Sequence, residues 1–119
     1  MKTLTKEFKV QDVVTAASVG SGGLEVLSSP SIMAWMENVS YELCQNYTDN
    51  DETTVGIEFS MKHLAPTAVG KLVSITAKIT EQNKSILTLS LEAMVDGQLI
   101  ASADHKRAKV NKERFLEKL

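Results

Sequence analysis

SPSIMAWMENVSYELC, residues 29–44, is the stretch of this sequence that decides the fold. It predicts one long helix, which we expect to run to about Tyr47. Ser29 suits the N-cap, because its hydroxyl can accept a hydrogen bond from a free amide of the first turn, and Pro30 suits the first helical position. Apolar residues then occur on nearly every side, which is typical of a helix buried in a core.

One carboxylate, Glu37, interrupts this apolar stretch. Burying an unpaired carboxylate costs several kcal/mol, so Glu37 needs a partner or must take up a proton. Its neighbours one turn away, Met33 and Tyr41, do not form an open polar face. We therefore interpret Glu37 as part of a functional site. The structural alternatives are a strained core position and a Glu that the long helix turns to solvent.

The composition indicates one globular domain, residues 1–119. The 119 residues fit a single core, and 43% hydrophobic and 24% charged residues are ordinary for such a domain. A net charge of −2 without a dense run of Lys and Arg argues against nucleic-acid binding. The single cysteine, Cys44, excludes an internal disulfide and a Cys-based zinc site, and we expect it in the core.

The N-terminus lacks the apolar run of a signal peptide, and no segment is long and apolar enough to span a bilayer. We therefore expect a cytoplasmic protein with no membrane partner. Nothing in the sequence suggests a metal site.

The chain from residue 53 to residue 110 reads as β structure. From Val55 the apolar residues alternate strictly, and one further step along that face arrives at His63. Three later strands, over 73–79, 86–95 and 99–110, are joined by short turns and are expected to be antiparallel neighbours. Asp96-Gly97 is the strongest hairpin signal. Short strands are expected over 4–10 and 24–27, a flexible Gly-Ser loop over 17–23, and a short helix within 111–119.

These elements differ in length. A ten-residue strand extends roughly 33 Å, whereas a fifteen-residue helix spans about 22 Å. A helix that is apolar on all sides needs a sheet that curls around it. We therefore predict an α+β fold of the hot-dog type, with a long central helix wrapped by a curved antiparallel sheet. Its edge strands are expected to pair with a second subunit, giving a homodimer, with a tetramer left open.

The order of these features resembles the hot-dog thioesterases and, more narrowly, the fluoroacetyl-CoA thioesterase family. The resemblance covers roughly residues 20–115. It is carried by Val26–Ser29 leading into Met36-Glu37, by Thr54–Gly56 through His63 to Gly70, and by His105–Ala108. It implies hydrolysis of a small acyl-CoA to the free acid and CoA. CoA is then part of the substrate, and no cofactor is expected.

In that family a hydroxyl residue at the helix start, a Glu within the helix and a His at a strand end form the catalytic set. The resemblance puts Ser29, Glu37 and His63 in these roles. It puts Gly56 in the role of the glycine whose backbone amide binds the thioester carbonyl. The family has threonine where this chain has Ser29, and its aromatic lid falls where this chain reads Gly20-Ser21-Gly22-Gly23.

The residue types suit this chemistry. A partly buried Glu37 can act as the base for water or attack directly. An inward-facing His63 can relay protons to the departing thiolate or pair with Glu37. Ser29 lies at a helix N-terminus, whose free amides and dipole can stabilise a developing oxyanion. Gly56 weakens its strand, which is consistent with the close approach of a ligand.

The remaining residues of interest are assigned structural, pocket-lining or surface roles. His105, crowded by Asp104 and Lys106, is interpreted as structural or peripheral. Met33 and Trp35 are expected to line the acyl pocket or to fill the core. The strand-end cations are interpreted as solvated edge residues in preference to contacts with CoA phosphates: Lys62, Lys106, Arg107, Lys109 and Lys112.

Two other functions are compatible with the same fold. A hot-dog hydratase or dehydratase also acts on acyl-CoA, and product analysis distinguishes it from a thioesterase. A non-catalytic acyl-CoA-binding module would bind the esters without turnover, and Glu37→Gln would barely change its affinity.

Overall fold

The fold is described by a computed structural model of residues 2–119. One antiparallel sheet has the strand order β1-β3-β4-β5-β2, and the long helix α2 packs on it. This confirms the predicted α+β arrangement of a central helix and an antiparallel sheet. The strands are β1 (Thr3–Lys9), β2 (Glu52–His63), β3 (Leu72–Asn83), β4 (Ile86–Val95) and β5 (Gln98–Asn111). The helices are α1 (Ala16–Val19), α2 (Ser29–Cys44) and α3 (Lys112–Leu116), with 3-10 turns at Asp12–Val14 and Gln45–Tyr47.

The start of α2 lies one residue earlier than predicted. Ser28, and not Ser29, is the N-cap, and its hydroxyl accepts a hydrogen bond from the Ser31 amide at 3.2 Å. Ser28 and Ser29 are chemically equal as caps, and proline is tolerated throughout the first turn, so the sequence does not separate the two. The consequence is functional, because the Ser29 hydroxyl is not used in capping.

The prediction that α2 is buried on all sides is wrong for the single chain. One face packs into the core, where Ile32, Met36, Val39 and Leu43 are fully buried. The other face carries exposed residues, which are Ala34, Asn38, Tyr41 and Glu42. A single sheet covers one side of a helix, so the second side is left open. The helix also ends earlier than expected, at Cys44, and a 3-10 turn follows it.

The three strands joined by short turns, β3, β4 and β5, are antiparallel neighbours as predicted. The Asp96-Gly97 turn is confirmed, with left-handed φ values of 50° and 77° that match the mirror-image turns of tight hairpins. The short strand predicted over 24–27 is wrong, because that segment forms only isolated bridges, Thr15 to Leu27 and Val26 to Ala68.

Strand β2 lies at one edge of the sheet, where it pairs with β5 and not with β3, the next strand along the chain. A bulge between Gly56 and Glu58 leaves Ile57 without a paired residue and 53% exposed, so the strict alternation predicted from Val55 breaks there. The inward row resumes at Phe59 and reaches His63 opposite Ala101, as the sequence predicted.

Candidate active site

The first pair of functional residues lies at the N-terminal end of α2. Ser29 Oγ is 2.7 Å from Nδ1 of His63, the last residue of β2. The pair forms because Ser28 caps the helix and leaves the Ser29 hydroxyl to bind another element. Nε2 of His63 is buried and has no hydrogen-bond partner among residues 2–119. The imidazole is thus oriented through one nitrogen, and its other nitrogen can exchange a proton with a ligand.

The second group lies in the middle of α2. Glu37 Oε2 is 3.9 Å from Arg107 Nη1, and the Glu37 side chain is 43% exposed whereas that of Arg107 is 7% exposed. Glu37 thus has the charged partner that the sequence argument called for, but its side chain is more exposed than expected of a helix buried on all sides. Glu37 is paired, and it is partly exposed because the sheet does not cover this side of α2. The attraction to a nearly buried cation orients the carboxylate.

Arg107 is held rigidly by its neighbours. Its Nε donates to Thr54 Oγ1 at 2.9 Å, and its Nη2 donates to the Thr54 carbonyl at 3.0 Å. Its Nη1 donates to His105 Nε2 at 3.1 Å, and the guanidinium lies 6.0 Å from the centre of the Tyr41 ring. Burial lowers the pKa of Arg107, yet a guanidinium remains charged in proteins. The interpretation of Arg107 as a solvated edge residue is wrong.

His105 lies at the centre of this group and is only 1% exposed, so the peripheral interpretation is wrong. Its Nδ1 is 2.8 Å from the Glu58 carbonyl oxygen, and its ring packs against Phe59 with the centroids 4.8 Å apart. Burial lowers the pKa of His105 from its ordinary value of 6.5. A sequence signal for both residues existed, because Ala101, Ala103, His105 and Arg107 follow one inward face at a spacing of two.

Gly56 lies opposite Arg107 in the β2–β5 pair. A Cβ atom at this position would lie 2.8 Å from Glu37 Oε2 and 3.2 Å from His105 Cε1. The backbone φ of Gly56 is outside the left-handed region, so the glycine is required for space and not for conformation. Any side chain here would displace the carboxylate.

The residues predicted as catalytic thus form two groups. Ser29 contacts His63, and Gly56 adjoins Glu37, but His63 pairs with Ser29 and not with Glu37. Ser29 and Glu37 lie about 12 Å apart along the helix axis at 1.5 Å per residue. Gly56 and His63 are separated by roughly 23 Å of extended strand. One chain therefore does not join the two groups.

The predicted pocket residues lie in different places. Met33 is half-buried on α2, one turn after Ser29 and one turn before Glu37. Trp35 stacks on Phe8 of β1, with ring centroids 5.0 Å apart. Because Trp35 is about 200° around the helix from Glu37, it faces β1 and lies away from the carboxylate.

The remaining residues discussed from the sequence lie in the core or on the surface. Cys44 is buried in the core as expected, and burial raises the pKa of its thiol to about 11. Lys62 and Lys106 are exposed, and Lys106 pairs with Glu58 at 3.5 Å. Within residues 2–119, no three His, Cys, Asp or Glu side chains are grouped as metal ligands would be. No helix of the described chain is long and apolar enough to cross a membrane.

The sequence matches one family of known proteins. The family model of the fluoroacetyl-CoA-specific thioesterase matches residues 10–113. A search of curated proteins gives no match.

Solved structures match over nearly the whole chain. The fluoroacetyl-CoA thioesterase FlK superimposes with a TM-score of 0.91 at 23% identity, covering 98% of this chain and 91% of that one. A threonine-to-serine variant of FlK in complex with acetyl-CoA gives 0.89 at 24% identity, covering 98% and 92%. A thioesterase superfamily member from Thermus thermophilus gives 0.89 at 18% identity, covering 97% and 85%. At these identities the structures establish the fold, which is the hot-dog fold that the sequence predicted.

Proposed function

This chain belongs to the fluoroacetyl-CoA-specific thioesterase family and is an acyl-CoA thioesterase, and from this premise we propose that it hydrolyses a small acyl-CoA to the free acid and CoA at a site built from Ser29, Glu37, His63 and Gly56. The observation that carries the proposal is the Ser29–His63 hydrogen bond, which orients a histidine whose buried Nε2 has no partner in the described chain. We also propose, from the sequence, that the enzyme acts in the cytoplasm and needs no cofactor.

His63 and Ser29 act at the leaving group. When the C–S bond breaks, the CoA sulfur carries negative charge and must gain a proton. An oriented imidazole is suited to donate that proton near neutral pH. The Ser29 hydroxyl holds the ring in place, and the Gly56 amide donates a hydrogen bond to the thioester carbonyl oxygen as it becomes negative.

Glu37 acts at the carbonyl carbon by one of two balanced routes. As a base, it takes a proton from water, and the resulting oxygen attacks the carbon while the thiolate departs. As a nucleophile, its own oxygen attacks, CoA departs, and water then hydrolyses the mixed anhydride. Hydroxylamine distinguishes the routes once its uncatalysed reaction with the acyl-CoA thioester is subtracted, because an anhydride on Glu37 gives additional, enzyme-dependent hydroxamate and direct attack by water gives none.

The active enzyme is proposed to be a homodimer in which each site combines two chains. Support comes from the division of the site, since Glu37 and His63 lie too far apart to act on one carbonyl within a single chain. Glu37 is partly exposed on α2, and Gly56 and His63 both belong to the edge strand β2, where Ile57 is exposed. A two-fold axis across this edge would bring Glu37 of one chain toward His63 of the other.

The acyl group is proposed to be small, without selectivity for fluoroacetyl over acetyl. Met33, half-buried between the two groups, limits the space for an acyl chain. The acetyl-CoA complex of the serine variant of FlK is compatible with a serine in the role of Ser29. The exposed loop Gly20–Gly23 offers no aromatic side chain to distinguish fluorine from hydrogen.

The primary test measures free thiol released from acetyl-, fluoroacetyl-, propionyl- and longer acyl-CoA. Glu37→Ala and His63→Ala are each expected to reduce kcat by about a thousandfold, as removal of an acid–base group does. Glu42→Ala is the matched control, because Glu42 is exposed on the same helix and pairs with Lys6. Absence of turnover on every ester, in a folded protein, would overturn the proposal.

The two-chain site has its own test. Mixing and reassociating Glu37→Ala with His63→Ala chains gives heterodimers in which one site carries neither substitution, if the site is shared. Random pairing then restores about a quarter of wild-type activity, because half the C2 dimers are mixed and each has one intact site. If each site lay within one chain, every site would carry a substitution and the mixture would stay inactive.

A further inference from the structure

His105 is buried at a position where both ring nitrogens have defined partners. Arg107 Nη1 can only donate, so His105 Nε2, at 3.1 Å, must accept. Nδ1 must then carry the proton, which it donates to the Glu58 carbonyl oxygen at 2.8 Å. The hydrogen-bond network therefore assigns a neutral imidazole with its proton on Nδ1.

We propose that His105 is a positioning residue for the thioesterase site: its neutral Nε2 fixes Arg107 Nη1 toward Glu37, and protonation of His105 in acid releases that arrangement. This inference rests on the proposed role of Glu37. His105 itself does not touch the substrate, since it acts through Arg107.

His105 contacts the Arg107 nitrogen that lies near Glu37. Two hydrogen bonds to Thr54 hold Nε and Nη2 of Arg107. Nη1 is the nitrogen that approaches Glu37, at 3.9 Å, and its hydrogen-bond acceptor is His105 Nε2. Gly56 leaves just enough room beside these groups, since an added Cβ would clash with both Glu37 and His105. A small rotation of the guanidinium is therefore passed to the carboxylate.

The charges around His105 determine the sign of its pH response. Arg107, on its own strand, opposes protonation, and Glu37 of α2 favours it. Strand β2 contributes the Glu58 carbonyl and the Phe59 ring, and β4 places uncharged Leu89 opposite. Burial is the largest influence and lowers the pKa of His105 below 6.5.

Protonation of His105 has two consequences. It turns Nε2 into a donor that faces the Arg107 donor, so Nη1 must rotate away. The unfolded chain also binds this proton more readily than the folded one. The free energy of unfolding therefore falls as the pH drops below about 6.5.

The first test is independent of catalysis. The chain contains two histidines, so nitrogen-15 NMR of the wild type and of His63→Ala assigns both imidazoles. The expected result is that His105 has its proton on Nδ1 and titrates below 6.5. A proton on Nε2, or titration at or above that value, would overturn the proposal even if thioesterase activity were normal. Conversely, loss of the proposed function would leave this result unchanged.

The second test compares His105→Gln with His105→Leu. Glutamine supplies an oxygen acceptor for Arg107 and does not titrate, whereas leucine fills the space without an acceptor. We expect the leucine variant to lose about tenfold in kcat with KM changed little, as for a misaligned catalytic group. The glutamine variant should regain most of that loss and remain active to lower pH than the wild type. If both folded variants lost kcat equally and had identical pH profiles, His105 would have only a structural role.

Discussion

The two ends of the proposed site are built differently. At the start of α2, Ser29 and His63 hold each other through one hydrogen bond, and both side chains are half-buried. In the middle of α2, the partly exposed Glu37 rests on a buried Arg107 that is held by Thr54 and His105. The first is a proposed reacting histidine oriented by one hydroxyl, whereas the second is a proposed reacting carboxylate beside a rigid, buried cation.

This difference follows from what each group must do. A histidine that relays protons needs one nitrogen oriented by a hydrogen bond and a second nitrogen without a protein partner, and the Ser29–His63 pair meets both requirements in the described chain. A carboxylate that attacks the carbonyl carbon, or that activates water, must be placed accurately, because a small misplacement lowers the rate strongly. Removal of the buried support, Arg107, should therefore alter both stability and activity, while removal of the Ser29 hydroxyl should alter activity alone.

The largest contrast is expected from Arg107. Arg107→Ala should reduce kcat by about a hundredfold through misplacement of Glu37. It should also lower the free energy of unfolding by at least about 2 kcal/mol, because buried acceptors on Thr54 and His105 lose their donor. Enzyme assays and urea denaturation measure the two effects. Lys106→Ala, on the exposed face of the same strand, is the control and should change neither kcat nor the free energy of unfolding. Unchanged kcat in Arg107→Ala would show that Arg107 does not position Glu37.

A smaller effect is expected at Gly56. Gly56→Ala keeps the backbone amide but places a methyl group 2.8 Å from Glu37 Oε2. The flexible end of Glu37 can move, so stability should change little while kcat falls by about thirtyfold. Gly23→Ala is the matched control, because a Cβ there meets nothing within 4 Å. Full activity in Gly56→Ala would show that only the amide of Gly56 is needed.

The smallest effects are expected at two adjacent serines, Ser28 and Ser29, and should differ in kind. Ser29→Ala should reduce kcat by about tenfold, because His63 loses its orienting hydrogen bond, and should leave the melting temperature nearly unchanged. Ser28→Ala should do the reverse, with a loss of about 1 kcal/mol in unfolding free energy through the missing N-cap. Thermal melts together with thiol-release assays measure both. If Ser29→Ala were the destabilised variant, the assignment of the cap to Ser28 would be wrong.

Sequence reasoning singled out the proposed reacting groups more readily than their supports. Glu37 and His63 stood out because a carboxylate in an apolar helix and a histidine at the end of an alternating strand are visible in one dimension. Arg107 was wrongly interpreted as solvated, and of the two interpretations of His105, structural or peripheral, the peripheral one was wrong, although the spacing of two from Ala101 put both residues on the inner face. Charged residues near a strand end usually face solvent, and that general preference outweighed the pattern.

Other differences have local causes. The bulge after Gly56 adds one residue to β2, and nothing in the alternation of side chains signals where a strand will take up an extra residue. The N-cap prediction differed by one position, because two serines precede the proline and local propensity ranks them equally.

The sequence by itself determined the helix, the strands, the antiparallel hairpins of β3 to β5 and the residues able to do chemistry, because these depend on local periodicity and side-chain type. Only the tertiary structure decided that β2 joins β5 at the sheet edge, that Arg107 supports Glu37, and that Ser29 and His63 lie apart from Glu37 in one chain. Those facts depend on contacts between residues distant in sequence, which register and packing determine and local patterns do not.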